Sequence, residues 1–235
     1  MIKVEDIEVW GWTHALRGMR NPMNSWDKSD TYIRLLEPLR GVPNIHQTTT
    51  EEPYFGEADA KLIHSLVQGG TEHRKFLRQV FVAMDITAPL YWWKEADTYK
   101  VGTTTNSCST MHKIQSKEFT EDMFSCEHLN LDSMATLRST IYKLNMYRTL
   151  YNEHHDKNYW WQMIQLLPSS YNQRRTVTMN YENVLAIIHQ RSGHKLDEWN
   201  DFVEVLTNLP GMNVVLGEEV NQKNDRTSKS SKSLQ

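Results

Sequence analysis

Apolar positions along the chain recur with two periods, alternation in short runs and helical spacing in longer ones, and each change of period marks an element. Ile2-Lys3-Val4-Glu5 alternates as a half-buried strand does. The run continues through Trp10 and Trp12 into a helix over Thr13 to Met19, which Asn21-Pro22 breaks. From Arg40 to Pro53 a glycine, prolines and Thr48-Thr49-Thr50 predict a loop. Helical spacing resumes at Glu57, with Ala60, Leu62, Ile63, Leu66 and Val67 on one face and Gly69-Gly70 as the stop. Val80 to Ile86 is rich in strand formers, and Thr87-Ala88-Pro89 predicts a helix start for Leu90-Tyr91-Trp92-Trp93. Leu131 to His155 carries the longest helical rhythm, through Met134, Leu137, Ile141 and Leu144, and a short helix follows over Tyr159 to Leu166.

The stretch from Gln165 to Glu198 sets a strand against a helix that ends in an arginine. Thr176-Val177-Thr178-Met179 alternates polar and apolar, and Asn180 opens a helical pattern at Val184, Leu185, Ile187 and Ile188. Arg191 therefore falls at a helix C-terminus, where the helix dipole favours a cation and the planar guanidinium suits a phosphate or the polar edge of a base. An ordinary C-capping arginine is the plain alternative. Leu196 to Leu209 predicts a final helix, and residues 221–235 lack any apolar period, so a single α+β domain over 1–220 with a disordered polar tail is expected.

The formal charge of -3 argues against a duplex-binding surface, because such a surface must neutralise many phosphates. No apolar run is long enough to cross a bilayer and Met1 to Asp6 lacks a signal-peptide core, which predicts a cytoplasmic protein with no membrane or nucleic-acid partner. Cys108 and Cys126 form no CxxC pair, and neither His154-His155 nor His189 and His194 has metal-binding spacing, so no metal site is expected. Cys108 reads as a buried, inert thiol; its chemical alternative is a nucleophilic thiolate. Trp92-Trp93 and Trp160-Trp161 read as core before they read as stacking platforms.

Leu167-Pro168, then Thr178-Met179-Asn180, then Arg191 resemble, in order and spacing, the C-terminal signature of the flavin-dependent thymidylate synthases. The resemblance covers roughly Glu57 to Leu209. It implies an antiparallel sheet packed with long helices, a flavin lying against Asn180, and a nucleotide contacted by Arg191. His73 before the strand and Ala88-Pro89 after it also stand where the family places them.

The family's hallmark, R-H-R-x-x-S-x-N-E-x-S-x-R-Y, is degenerate here. Its basic triplet falls on Thr98, Tyr99 and Lys100, followed by Val101-Gly102. With one inserted residue, Asn106 takes the motif asparagine, Ser107 the glutamate, Ser109 the serine, Met111 the arginine and His112 the tyrosine. Without it, Asn106 takes the glutamate and Cys108 the serine. A neutral side chain cannot replace the bidentate, charge-assisted bonds of the missing guanidiniums. Lys94, Lys100, Lys113, Arg74, Arg78, Arg174 and Arg175 are the nearby cations, and of these Lys100 and Arg174 fall at positions that are basic in the family.

The resemblance implies a homotetramer that methylates a pyrimidine nucleotide at C5, dUMP to dTMP, with FAD as hydride donor and NADPH and methylenetetrahydrofolate as co-substrates. It assigns His73, Lys100, Arg174 and Asn180 to the flavin, Lys100, Asn106, Ser107, Ser109 and Arg191 to the nucleotide, and Ser109 and Arg191 to catalysis. An enzyme acting on another pyrimidine nucleotide or one-carbon group, and a binding protein that has lost catalysis, are the alternatives.

Overall fold

The computed structural model describes residues 2–36 and 50–217. A four-stranded antiparallel sheet, in the order β1-β4-β6-β5, organises the larger core. Its strands are β1 (Lys3–Trp10), β4 (Phe81–Pro89), β5 (Thr103–Ser107) and β6 (Asn172–Asn180), while β2 (Tyr32–Leu36) and β3 (Thr50–Tyr54) form a separate hairpin. The helices are α1 (Trp12–Arg20), α2 (Glu57–Gln68), α3 (Leu90–Ala96), the single turn α4 (Thr110–Lys113), α5 (Leu131–His154), α6 (Lys157–Leu166), α7 (Tyr181–Arg191), α8 (Asp197–Thr207) and α9 (Met212–Leu216). This is the expected α+β architecture.

The alternation in β6 sorts its two faces. Val177 and Met179 are buried with Val82, Met84 and Ile86 of β4, beneath α1, α3, α7 and α8, whereas Thr176 and Arg174 lie on the exposed face. Strand β1 needs a correction to match that pattern. Val4 pairs with Ile86 and Val9 with Val82, both on the inner face, although they stand five positions apart and strict alternation would put them on opposite faces. A bulge between Glu5 and Glu8 absorbs the extra residue, with Asp6 at φ 52°. Asp tolerates this left-handed conformation better than a branched residue does.

A second, smaller core joins α5 and α6 to Ile114, Phe119 and Phe124. Helix α5 runs as the 131–155 rhythm predicts and buries Leu137, Ile141 and Leu144 on one narrow stripe. Its N-cap, Asn130 Oδ1, accepts from the Ser133 N–H at 2.9 Å.

Three expectations change. Residues 50–53 are strand rather than loop, because Thr50 to Tyr54 pairs in register with Leu36 to Tyr32; the rest of that predicted loop, 40–49, lies outside the described residues. The strand expected to end at Ile86 continues to Pro89, since β6 pairs with it as far as Asn172. The last predicted helix is shorter, Asp197–Thr207, and α9 follows it beyond Gly211, whose φ of 81° turns the chain back. A Cβ on Gly211 would meet Trp12 at 2.7 Å. The predicted tail 221–235 lies outside the described residues.

Candidate functional site

Helix α7 is the element that positions most of the predicted residues. Asn180 ends β6 and caps α7, its Oδ1 accepting from the Asn183 N–H at 3.0 Å. Asn180 Nδ2 makes no hydrogen bond to the described residues, but it lies 2.3 Å from where a Cβ on Gly102 would stand. Gly102, at φ 74°, is thus required twice, by its backbone conformation and by the close approach of this amide. One turn on, Asn183 Nδ2 donates to the Val101 carbonyl and, at 2.7 Å, to Thr103 Oγ1, which fastens α7 to the hallmark segment.

His73 is exposed on the segment that packs against this same helix start. Its neighbour Arg74 donates from Nε to both carboxylate oxygens of Glu182, at 3.1 and 3.2 Å, which holds the segment to the first turn of α7. The structure therefore brings Asn180 and Gly102 together from distant parts of the sequence, and ties the segment that carries His73 to the same helix through Arg74.

Arg191 stands at the opposite end of α7, as its pattern predicts. Its Nε donates to Tyr99 Oη at 2.9 Å, and Tyr99 passes the chain on to Gln190 Oε1 at 3.1 Å. Nη1 donates to Glu95 Oε2 at 2.6 Å, and the guanidinium lies over the Trp199 ring, 4.4 Å from its centroid. His194 Nε2 is 3.1 Å from Nη1, yet the Leu196 N–H donates to Nδ1 at 3.2 Å, which puts the ring proton on Nε2. That proton faces Glu95 Oε2, 3.6 Å away, so the carboxylate is the shared acceptor and the arginine-to-imidazole contact is not a hydrogen bond. Nη2 of Arg191 makes no hydrogen bond to the described residues. Glu95 and Trp199 were not singled out in the sequence, and Tyr99 only as a position of the degenerate basic triplet; Glu95 lies in the last turn of α3 and Tyr99 beyond the helix, so no helical spacing signalled their meeting at Arg191.

Between the inner face of the sheet and α3, α7 and α8 lies a cavity of about 200 Å³. Trp92, Trp93, Trp199 and Phe202 wall it, and Asp97, Lys100, Thr103 and Thr105 also line it. Trp92 and Trp93 are core, as expected, at 1% and 3% exposure, while Trp161 is exposed. Lys100 is exposed and has no ion-pair partner among the described residues. Arg175 is already committed: it lies 4.1 Å over the Trp93 ring and pairs with Asp97 at 2.8 Å.

The hallmark segment itself is an edge strand. Across β5 and β6, Asn106 pairs with Thr176 and Ser107 with Arg175. Directly opposed residues share a face, so Asn106 belongs with Arg174 on the outer face and Ser107 with the cavity side. Ser109 follows the strand and caps α4, its Oγ accepting from the His112 N–H at 3.1 Å. Cys108, expected to be buried, is exposed instead, because the chain leaves the sheet there and only its backbone stays bound, to Arg174 O and Gln173 Nε2.

Arg174 is surrounded by acids. Its Nη2 meets Asp85 Oδ2 at 2.5 Å and Asp6 Oδ2 at 3.3 Å, and its Nη1 lies 3.9 Å from Glu5 Oε2. Hydrogen bonding to Asp85 raises its pKa further. An anion approaching this guanidinium would also meet three carboxylates.

No protein-family profile and no curated protein matches the sequence. Among solved structures, the chain is similar to thymidylate synthase X from Helicobacter pylori with FAD and dUMP, at 18% identity and a TM-score of 0.61, over 94% of this chain and 100% of that one. Another structure of the flavin-dependent thymidylate synthase from the same organism, complexed with FAD and dUMP, gives 18% identity and a TM-score of 0.60 over 90% of this chain and 97% of that one. At this identity the likeness is one of fold, and it spans 97–100% of the neighbours' chains.

Proposed function

We propose that this protein is a flavin-dependent enzyme that adds a one-carbon group at C5 of a pyrimidine nucleotide, in the manner of a thymidylate synthase acting on dUMP. The observation that carries the reading is the coincidence of two independent findings. The fold is similar over 90–94% of the chain to proteins crystallised with FAD and dUMP, and the residues matched by motif, Asn180 and Arg191, occupy the two ends of one helix here.

The residues at the start of α7 fit a flavin. Asn180 Nδ2 and exposed His73 offer N–H donors for ring carbonyls, and Lys100, without an ion-pair partner among the described residues, offers a cation for a diphosphate. Arg174 fits less well, its charge being shared among Glu5, Asp6 and Asp85, so Lys100 is assigned the main electrostatic part. When bound, FAD supplies the hydride, with NADPH recharging it and methylenetetrahydrofolate providing the carbon. The chain's own contribution is orientation. Arg191, held by Glu95 and Tyr99 and stacked on Trp199, presents a preorganised guanidinium whose Nη2 is left to meet the base or phosphate. Ser107 and Ser109 add hydroxyl donors on the cavity side and at the head of α4.

Asn106 and Arg174 lie on the outer face of the sheet while Lys100 and Ser107 lie on the other, and one chain cannot bring both faces to one ligand. Their convergence requires a neighbouring copy, which supports a homotetramer with sites between subunits. A second reading, the same chemistry on a different pyrimidine nucleotide, is favoured by the carboxylates around Arg174, because they lower the positive potential available to a dianionic phosphate.

The test is a panel of uridine and cytidine nucleotides labelled at C5, incubated with FAD, NADPH and methylenetetrahydrofolate. Release of label from at least one is expected. No release from any, by protein shown to hold flavin, rejects the methyltransferase reading.

A further inference from the structure

A second cavity, of about 210 Å³, is lined by residues of α1 and of the segment that leads into β2, and none of the residues assigned to flavin or nucleotide takes part in it. Its apolar lining is buried Leu16, half-buried Ile33 and the indole of Trp26. Trp26 is 51% exposed, so its ring is open to a ligand. It is not loose, because its Nε1 donates to Asn21 Oδ1 at 2.8 Å. An open indole already held in one orientation gives contact area to a ring at little cost in entropy.

The polar lining is sorted by what each group already does. Arg20 is spent: its Nε donates to Asp59 Oδ1 at 2.7 Å, its Nη2 lies 2.6 Å from the same oxygen, and its Nη1 donates to the Ser25 carbonyl at 3.2 Å. Ser29 Oγ and Thr31 Oγ1 each give their one proton to Asp59 Oδ2, at 2.7 Å, so neither hydroxyl can donate to a ligand. That leaves Arg17. It stands three residues before Arg20 on the same face of α1, is exposed, lines the cavity, and has no ion-pair partner among the described residues. Asp59 cancels the charge of Arg20 and no acid among the described residues lines the cavity, so its surplus charge is positive and favours an anionic occupant. Size limits that occupant further. A cavity of ~150 Å³ already admits benzene, so there is room here for one six-membered ring with a small substituent.

We infer that this cavity is a binding site for a monocyclic aromatic carboxylate, its ring against Trp26, Leu16 and Ile33 and its carboxylate on the guanidinium of Arg17.

The test needs neither flavin nor nucleotide, so its failure and that of the proposed methylation are separate results. Benzoate has both the ring and the charge, benzyl alcohol has the ring alone, and acetate has the charge alone. Each is titrated into the full-length protein while the indole N–H resonances are followed by NMR, with Trp26 assigned by its loss in Trp26→Phe. Benzoate should move the Trp26 resonance and bind about five-fold tighter than benzyl alcohol, the worth of one charge-assisted contact, while acetate at the same concentration should leave Trp26 in place. Arg17→Gln, at an exposed helical position that leaves the fold intact, should abolish the preference for benzoate over benzyl alcohol yet retain the Trp26 shift at saturation. A Trp26 resonance unmoved by millimolar benzoate, an equal shift with acetate, or a preference that survives in Arg17→Gln overturns the inference.

Discussion

Arg191 and Trp199 share one carboxylate oxygen: both donate to Glu95 Oε2, at 2.6 and 3.0 Å, while the guanidinium stacks over the indole at 4.4 Å. A helix-terminal arginine is thereby fixed in one orientation, because rotating it away would break an ion pair, a stacking contact and the bond to Tyr99 together. A rigid fork loses little entropy when it meets a ligand, so the arrangement suits recognition as well as packing.

Arg191→Ala is expected to weaken nucleotide binding by ~1.5–3 kcal/mol, the range for a hydrogen bond to a charged group. Arg191→Lys should rescue little, since an ammonium cannot stack and donate in the same plane. Titration calorimetry on folded variants is the measurement, and unchanged affinity would remove Arg191 from the site.

Asn180 has two separable tasks. Asn180→Ala should lose the cap of α7 and about 1 kcal/mol of stability, whereas Asn180→Ser keeps a capping oxygen and should cost little. Serine lacks the amide donor, so flavin retention should fall in both variants. Thermal melts beside flavin fluorescence separate the effects, and full flavin binding by Asn180→Ser would leave the residue a cap alone.

Acid sensitivity should centre on Asp59. Burial pushes its carboxyl pKa up, but hydrogen bonds from Ser29, Thr31 and Arg20 outweigh it and hold the net value below the ordinary one. A depressed folded-state pKa gives stability that is complete above the unfolded value of about 3.9 and is lost as pH falls through the folded one. The melting temperature should therefore drop steeply below about pH 4. Asp59→Asn should flatten that limb and cost about 3–5 kcal/mol at neutral pH, because Arg20, at 4% exposure, would stay buried without its partner. An unaltered acid limb in Asp59→Asn would place the sensitivity elsewhere.

The outer face of the sheet should mediate self-association. Ala83 sits there between Glu8 of β1 and Thr178 of β6, near the stacked pair Trp10 and Phe81, whose centroids are 5.8 Å apart. Ala83→Lys places a cation beside Glu8, which the isolated chain tolerates, but a facing copy would have to bury it. Sedimentation should show smaller species that release flavin on dilution. Association at wild-type strength would exclude this face as the interface.

The order and type of β1, α1, α2, β4, α3, α5, α6, β6, α7 and α8 were legible in residue pattern, because burial imposes a period of two on β6 and of three to four on α2, α5 and α7, whereas β2, β3, β5, α4 and α9 were not. The ends of α7, with Asn180 as cap and Arg191 at the last turn, followed from local chemistry that acts over a single helical turn. What depended on neighbours distant in sequence was not legible. The hairpin partner that makes Thr50 to Tyr54 a strand, the three acids around Arg174 and the carboxylate that orients Arg191 all arrive from elsewhere in the chain, and a charge read alone carries no sign of what will neutralise it. The tryptophans are the clearest case. Trp92 and Trp93 read as core in the sequence and are core by burial, yet their packing against Trp199 of α8, 4.7 Å from Trp92, and the cavity beside them arise only when α3, α8 and the sheet are packed, since a void is a property of how side chains meet and of no side chain by itself.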